Sequence, residues 1–207
     1  MKRHLSTAIA SIFLVGAFSS SALAEERSFT FGVHEARTNI SFVGEADIET
    51  IHGFTNQLVG SVKSTDSELV STATLKVDVK TLDTGIALRD EHLQGEMWLD
   101  AANHPYIELE LTKVTRQAST KKWAYEGTLT IKGKSQKLSG EAKIKFVDED
   151  KASKFKLGKG EWVNVKVDFD VKLTDFGVAI PEGVGSKVSD QWTIQVDIWG
   201  TTSPDQS

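Results

Sequence analysis

The chain contains no cysteine. Disulfide frameworks, thiol nucleophiles and cysteine-ligated metals are therefore excluded. It also lacks a Gly-x-Ser-x-Gly elbow, a His-Glu-x-x-His pair and a glycine loop built to cradle phosphate. No internal repeat and no interdomain linker interrupt it. Its longest apolar run, Ala8 to Phe18, is short of the ~20 residues that a membrane-spanning helix needs. The histidines beyond the first residues are His34, His52, His92 and His104. Their spacing matches no metal-ligand pattern, so neither a metal nor another cofactor is expected.

What is present begins with a secretory signature. Lys2, Arg3 and His4 precede the apolar run, and Ser19 to Ala24 supplies the small residues of an Ala-x-Ala cleavage site. Residues 1–24 are read as a signal peptide cleaved after Ala24. No cysteine follows to carry a lipid, and no apolar run follows to span a membrane. The 183 residues that remain hold 22 basic and 29 acidic side chains, a net charge of −7. That charge argues against nucleic acid as a partner. The length suits one domain with a substantial core.

From Phe29 onward apolar and polar residues alternate, the mark of half-buried strands. Ile40, Phe42, Gly44, Ala46 and Ile48 share one parity. His52, Phe54, Asn56, Leu58, Gly60 and Val62 form the next inward set, followed by Ala73, Leu75, Val77 and Val79. Later sets are Ile107, Leu109 and Leu111, then Tyr125, Gly127, Leu129 and Ile131, then Leu138 to Phe146. Val163 to Leu173 is the longest, and Trp192 to Ile198 closes the sheet. Eight or nine antiparallel strands fit a barrel or a two-sheet sandwich. Aliphatic fillers and inward glycines (Gly44, Gly60, Gly127, Gly140) are compatible with internal space, and equally with bulges or tight bends.

Three stretches depart from the alternation. His52 and Asn56 are polar on an apolar parity, which makes them ligand-facing candidates unless a bulge shifts the register. Leu82 to Tyr106 reads as a short helix and turn, with Asp83 or Thr84 as cap and Gly95 as stop. Helical spacing places Ile86, Asp90, Leu93 and Met97 along one side, suited to plugging or lining one end of the fold. Arg89, Asp90 and His92 could recognise a polar head or fasten the helix. Phe176 to Lys187 is apolar and glycine-rich, suited either to a lid or to a loop packed on the outside. The lysines around residues 132–137 and 151–159 are interspersed with acids and read as solvated turn residues.

The run Leu82-Asp83-Thr84-Gly85 with Arg89-Asp90 and His92-Leu93 resembles the YceI-like family of exported lipid-binding proteins. So do Leu99-Asp100-Ala101, His104-Pro105-Tyr106-Ile107, Gly127 to Gly133, and Leu173 to Asp190. The resemblance extends from about Phe29 to Gly200. It implies an all-β fold, a single antiparallel eight-stranded lipocalin-like barrel with one short helix and an apolar internal cavity. It also implies a periplasmic location and a polyisoprenoid, isoprenoid quinone or fatty-acid derivative as ligand. Ala46 to Gly53 departs from the His-Leu-Gly motif of many members, which marks a divergent member.

The resulting expectation is a non-enzymatic carrier spanning residues 25–200, with a disordered tail at 201–207. Phe42, Phe54, Leu93, Met97, Tyr106 and Phe169 are the expected lining or mouth residues. His52, Asn56, Arg89 and Asp90 are the expected polar contacts. A homodimer is left open. An enzyme using His52 or His92, and a packed barrel that binds a protein partner, are the alternative functions.

Overall fold

A computed structural model of the protein describes residues 26–64 and 68–205. The expected signal peptide and the end of the tail lie outside the described residues. The strands are β1 (Arg27–Phe31), β2 (Asn39–Glu45), β3 (Thr50–Thr55), β4 (Val59–Ser64), β5 (Glu68–Asp78), β6 (Tyr106–Arg116), β7 (Trp123–Ile131), β8 (Lys134–Val147), β9 (Trp162–Lys172) and β10 (Gln191–Thr201). The helices are α1 (Ala87–Gln94) and α2 (Glu149–Lys154).

Every pairing is antiparallel, in the order β1-β4-β5-β6-β7-β8-β9-β10. The ring closes where β1 returns to β10, with Thr30 opposite Thr201 and Phe31 opposite Gly200. That is the expected eight-stranded closed barrel. β2 and β3 continue it as a hairpin on the upper half of β10. The first two barrel positions are thus each split into two strands.

The inward parities of β5 to β10 follow the sequence pattern, because the pleat sends alternate side chains to opposite faces. Two inward glycines seat aromatic rings. A Cβ on Gly44 would lie 2.6 Å from the Trp192 ring, and one on Gly140 would lie 2.8 Å from Tyr125 Oη.

The two ends of the barrel differ. One end is closed by Phe29, Trp123 and Phe146. The rings of Phe29 and Phe146 are 5.7 Å apart, and those of Trp123 and Phe146 are 5.9 Å apart. Arg27 lies against this cluster, 5.2 Å from the Phe146 centroid. Beside it α2, capped by Asp148 accepting from the Lys151 backbone N–H, carries a second small core of Val147, Ala152, Leu157 and Trp162. The stretch read as turn lysines contains this helix, and Lys151 pairs with Asp148.

The tail also starts later than expected. Thr201 is fully buried as the last residue of β10. Beyond it, the Thr202 backbone N–H donates to the Glu161 carbonyl.

Candidate ligand-binding site

The barrel encloses a cavity of about 910 Å³. Its walls are the inward sets of the strands, including Leu109, Leu129, Val165, Val167, Phe169, Ile194 and Val196. Among the described residues, the charged side chains that reach it (Glu49, Arg89, Glu91, Glu96 and Lys187) and Thr84 and His92 come only from connections at the open end. Below the mouth the wall is hydrocarbon, apart from the Trp192 indole N–H, which donates to the Ser189 carbonyl, and the Tyr125 hydroxyl.

Three connections build that mouth. The first is α1 with its flanks. Ile86 occupies the N-cap position and offers no side-chain cap; the helix stops at Gly95, as expected. The expected capping by Asp83 or Thr84 is corrected: Asp83 accepts from the Gly85 backbone N–H, and Asp90 accepts from both the backbone N–H and the hydroxyl of Thr84. The second is the tip of the β2–β3 hairpin. The third is the segment after β9, in which Phe176 and Val178 are buried while Pro181, Val184 and Val188 reach the mouth. That segment is therefore partly packed and partly a rim.

Hydrogen bonds join the three. Arg89 Nη1 donates to Glu49 Oε1 at 3.0 Å, and its Nε and Nη2 donate to the hydroxyl and carbonyl of Thr84, each at 2.9 Å. The Ile48 backbone N–H donates to the Ser186 carbonyl at 3.1 Å. A single bridge pairs Phe54 with Asp83, tying the outer edge of β3 to the segment before α1. Lys132 Nζ reaches the carbonyls of Glu96 and Met97 from the β7–β8 turn.

Phe42, Leu93, Met97, Arg89 and Phe169 border the cavity. Leu93 packs on the core, whereas Ile86, Leu88 and Met97 are more than half exposed and form an outer apolar rim. Asp90 does not reach the cavity. Its carboxylate is engaged with Thr84, which orders the turn before α1.

His52, Phe54 and Asn56 do not line the cavity, and the inward parity assigned to them is corrected. Ile51, Gly53 and Thr55 are the buried residues of β3, leaving His52 and Phe54 outside. The chain leaves the strand at Asn56 and resumes at Val59, so inward parity passes from Thr55 to Leu58 across an odd step. Thr55 fixes the break: its buried hydroxyl bonds Thr81 Oγ1 at 2.8 Å and accepts from the Gln57 backbone N–H at 3.0 Å. Tyr106 is also outside, under Lys76 Nζ at 5.6 Å. It alternates with Ile107, which points inward.

The expected lining favours large side chains, whereas most of the wall is aliphatic. The signal was the strand parity itself. The expected lining also omits Tyr125, the one phenol on an otherwise apolar inward set. Burial pushes its hydroxyl pKa up.

A family model described as the YceI-like domain matches residues 31–199. A UPF0312 protein of Yersinia pestis is 27% identical over 134 residues, which are 64% of this chain and 68% of that one. Among solved structures, Burkholderia cenocepacia BcnA superposes with a TM-score of 0.67 at 20% identity, covering 81% of this chain and 99% of that one. A polyisoprenoid binding domain from Saccharophagus degradans gives 0.60 at 11% identity, covering 84% and 98%.

Proposed function

The chain belongs to the family of YceI-like domains, and on that premise we propose that it is a soluble exported carrier of the periplasm. It holds an amphiphile with a long apolar chain inside the barrel. The observation that carries this reading is the cavity of about 910 Å³ with hydrocarbon walls and one polar-rimmed mouth. Transfer of a chain into it removes apolar surface from water at about 25 cal/mol per Å². No covalent step is required, and release is the reverse transfer. The barrel's likeness to a polyisoprenoid binding domain supports an isoprenoid or comparable chain as cargo. The export signature of residues 1–24 supports the location.

The cavity favours this reading over a packed barrel that only presents its exterior. The enzymatic alternative loses support at His52, which is outside the barrel. His92 stands at the mouth, exposed and bonded to no catalytic partner among the described residues.

Native mass spectrometry of gently purified protein tests the proposal. The expected result is a co-purifying lipid or uptake of an added isoprenoid or fatty amide. Protein that is empty and takes up neither overturns it.

A further inference from the structure

Tyr125 is the exception in the hydrocarbon wall. It lies on β7 near the closed end of the barrel. Ile131, at the other end of the strand, adjoins the turn beside the mouth, six residue steps or roughly 20 Å from Tyr125. Trp123, one inward position further, already belongs to the aromatic floor. Tyr125 lines the cavity and is 7% exposed. Its ring lies against Gly140, the directly paired residue on β8, where a side chain would collide with the hydroxyl. Among the described residues nothing accepts from or donates to that hydroxyl. Burial alone raises its pKa, so the group is a neutral phenol at every physiological pH.

The hydroxyl is reached from the cavity rather than sealed in packed protein, and once an apolar cargo displaces water from that space a hydroxyl left without a partner is costly. Here it faces the space that the cargo fills. We propose that Tyr125 is a specificity-determining subsite at the closed end of the cavity, donating a hydrogen bond to an uncharged carbonyl or hydroxyl oxygen of the cargo. This rests on the carrier reading and refines it. The cargo enters with a neutral polar group innermost and its apolar chain running toward the mouth. An anionic head is selected against at this depth. One phenol supplies one donor, and an ionised phosphate or carboxylate stripped of water needs several or a counter-charge. Amides, esters and quinone-type carbonyls meet the requirement; phosphates and free carboxylates do not.

The test compares two probes of equal chain length, oleamide and the hydrocarbon 1-octadecene, delivered from cyclodextrin and quantified by native mass spectrometry. The protein is the wild type or Tyr125→Phe, which keeps the ring and deletes the oxygen. The expected result is that wild type prefers oleamide. Tyr125→Phe should lose roughly five- to tenfold in oleamide affinity, the scale of one hydrogen bond, with octadecene uptake unchanged. Oleate should bind more weakly than oleamide to wild type. Equal affinity of wild type and Tyr125→Phe for oleamide overturns the subsite while leaving the carrier reading standing. Uptake of no probe overturns both. Parallel loss of both probes assigns Tyr125 a packing role and also overturns the subsite.

Discussion

Arg89 on α1 and Glu49 at the tip of the β2–β3 hairpin are joined across the cavity mouth by a 3.0 Å ion pair. The same guanidinium holds Thr84 through two further hydrogen bonds. α1 has no buried residue, and its C-terminal flank is anchored by Leu99 and Ala101. The Arg89 contacts therefore fasten the less buried, N-terminal end of the helix. Fastening and ligand contact are separable by experiment.

Glu49→Gln should change stability by less than about 1 kcal/mol, as exposed pairs do. Arg89→Ala should cost more, because the two Thr84 bonds go with it. If these contacts hold the mouth, both variants release a bound fluorescent fatty amide faster than wild type while equilibrium occupancy changes little. Thermal melts and stopped-flow dissociation measure the two effects. Unchanged release with lowered occupancy would make Arg89 a recognition residue instead.

Val165→Trp should empty the barrel without unfolding it. Val165 lines the cavity four residues into β9, toward the closed end. A bulky ring placed there meets free volume rather than packed neighbours, so the usual cost of overpacking does not arise. Lipid occupancy by native mass spectrometry should fall sharply, with the melting temperature held or raised.

His52→Ala and Asn56→Ala should leave cargo binding within twofold of wild type, since neither side chain lines the cavity. Phe42→Ala is the contrasting case. Phe42 is buried against Gly53, and its ring lies tilted against that of Trp192 with centroids 5.7 Å apart. Its truncation should destabilise the barrel by about 3–5 kcal/mol. Chemical denaturation and a lipid-uptake assay check the pair. An occupancy loss at His52 greater than at Phe42 would contradict the observed parity of β3.

The cap of α2 should be sensitive to acid. The Lys151 ammonium and backbone N–H hold the Asp148 carboxyl below its ordinary value of 3.8. A carboxylate depressed in the folded state contributes stability above the ordinary value and loses it as pH falls through the lowered one. Asp148→Ala should therefore be less stable than wild type at pH 7, and the difference should shrink below pH 3.8. Hydrogen exchange of residues 149–157 at the two pH values reads this locally. A difference that persists undiminished in acid would assign the effect to something other than the charged cap.

The legible and illegible parts of this chain divide on whether a residue's role is set by its near neighbours. Val163 to Leu173 alternates without interruption, and its inward residues line the cavity as the alternation requires. α1 was legible from Leu82 to Gly95 because its stop residue and helical spacing are local. β3 was not. Its parity is reversed by a three-residue break that depends on Thr55 meeting Thr81, 26 residues away. Tyr106 lies outside for a simpler reason, since alternation with Ile107 already sends it outward. α2 was overlooked although Asp148 followed by Ala152 is a capped helical turn, because the charged residues around it matched a solvated loop equally well.

The sequence by itself determined an all-β chain with apolar residues on one face of each strand. That follows because the period of the pleat is a local property of the backbone. Only the tertiary structure decided that the inner faces stand far enough apart to leave a cavity, since that distance depends on closure between β1 and β10, where Thr30 meets Thr201, 171 residues further along the chain. It also decided which connections meet at the mouth, and that the hydroxyl of Tyr125 faces the space within rather than a partner in the wall.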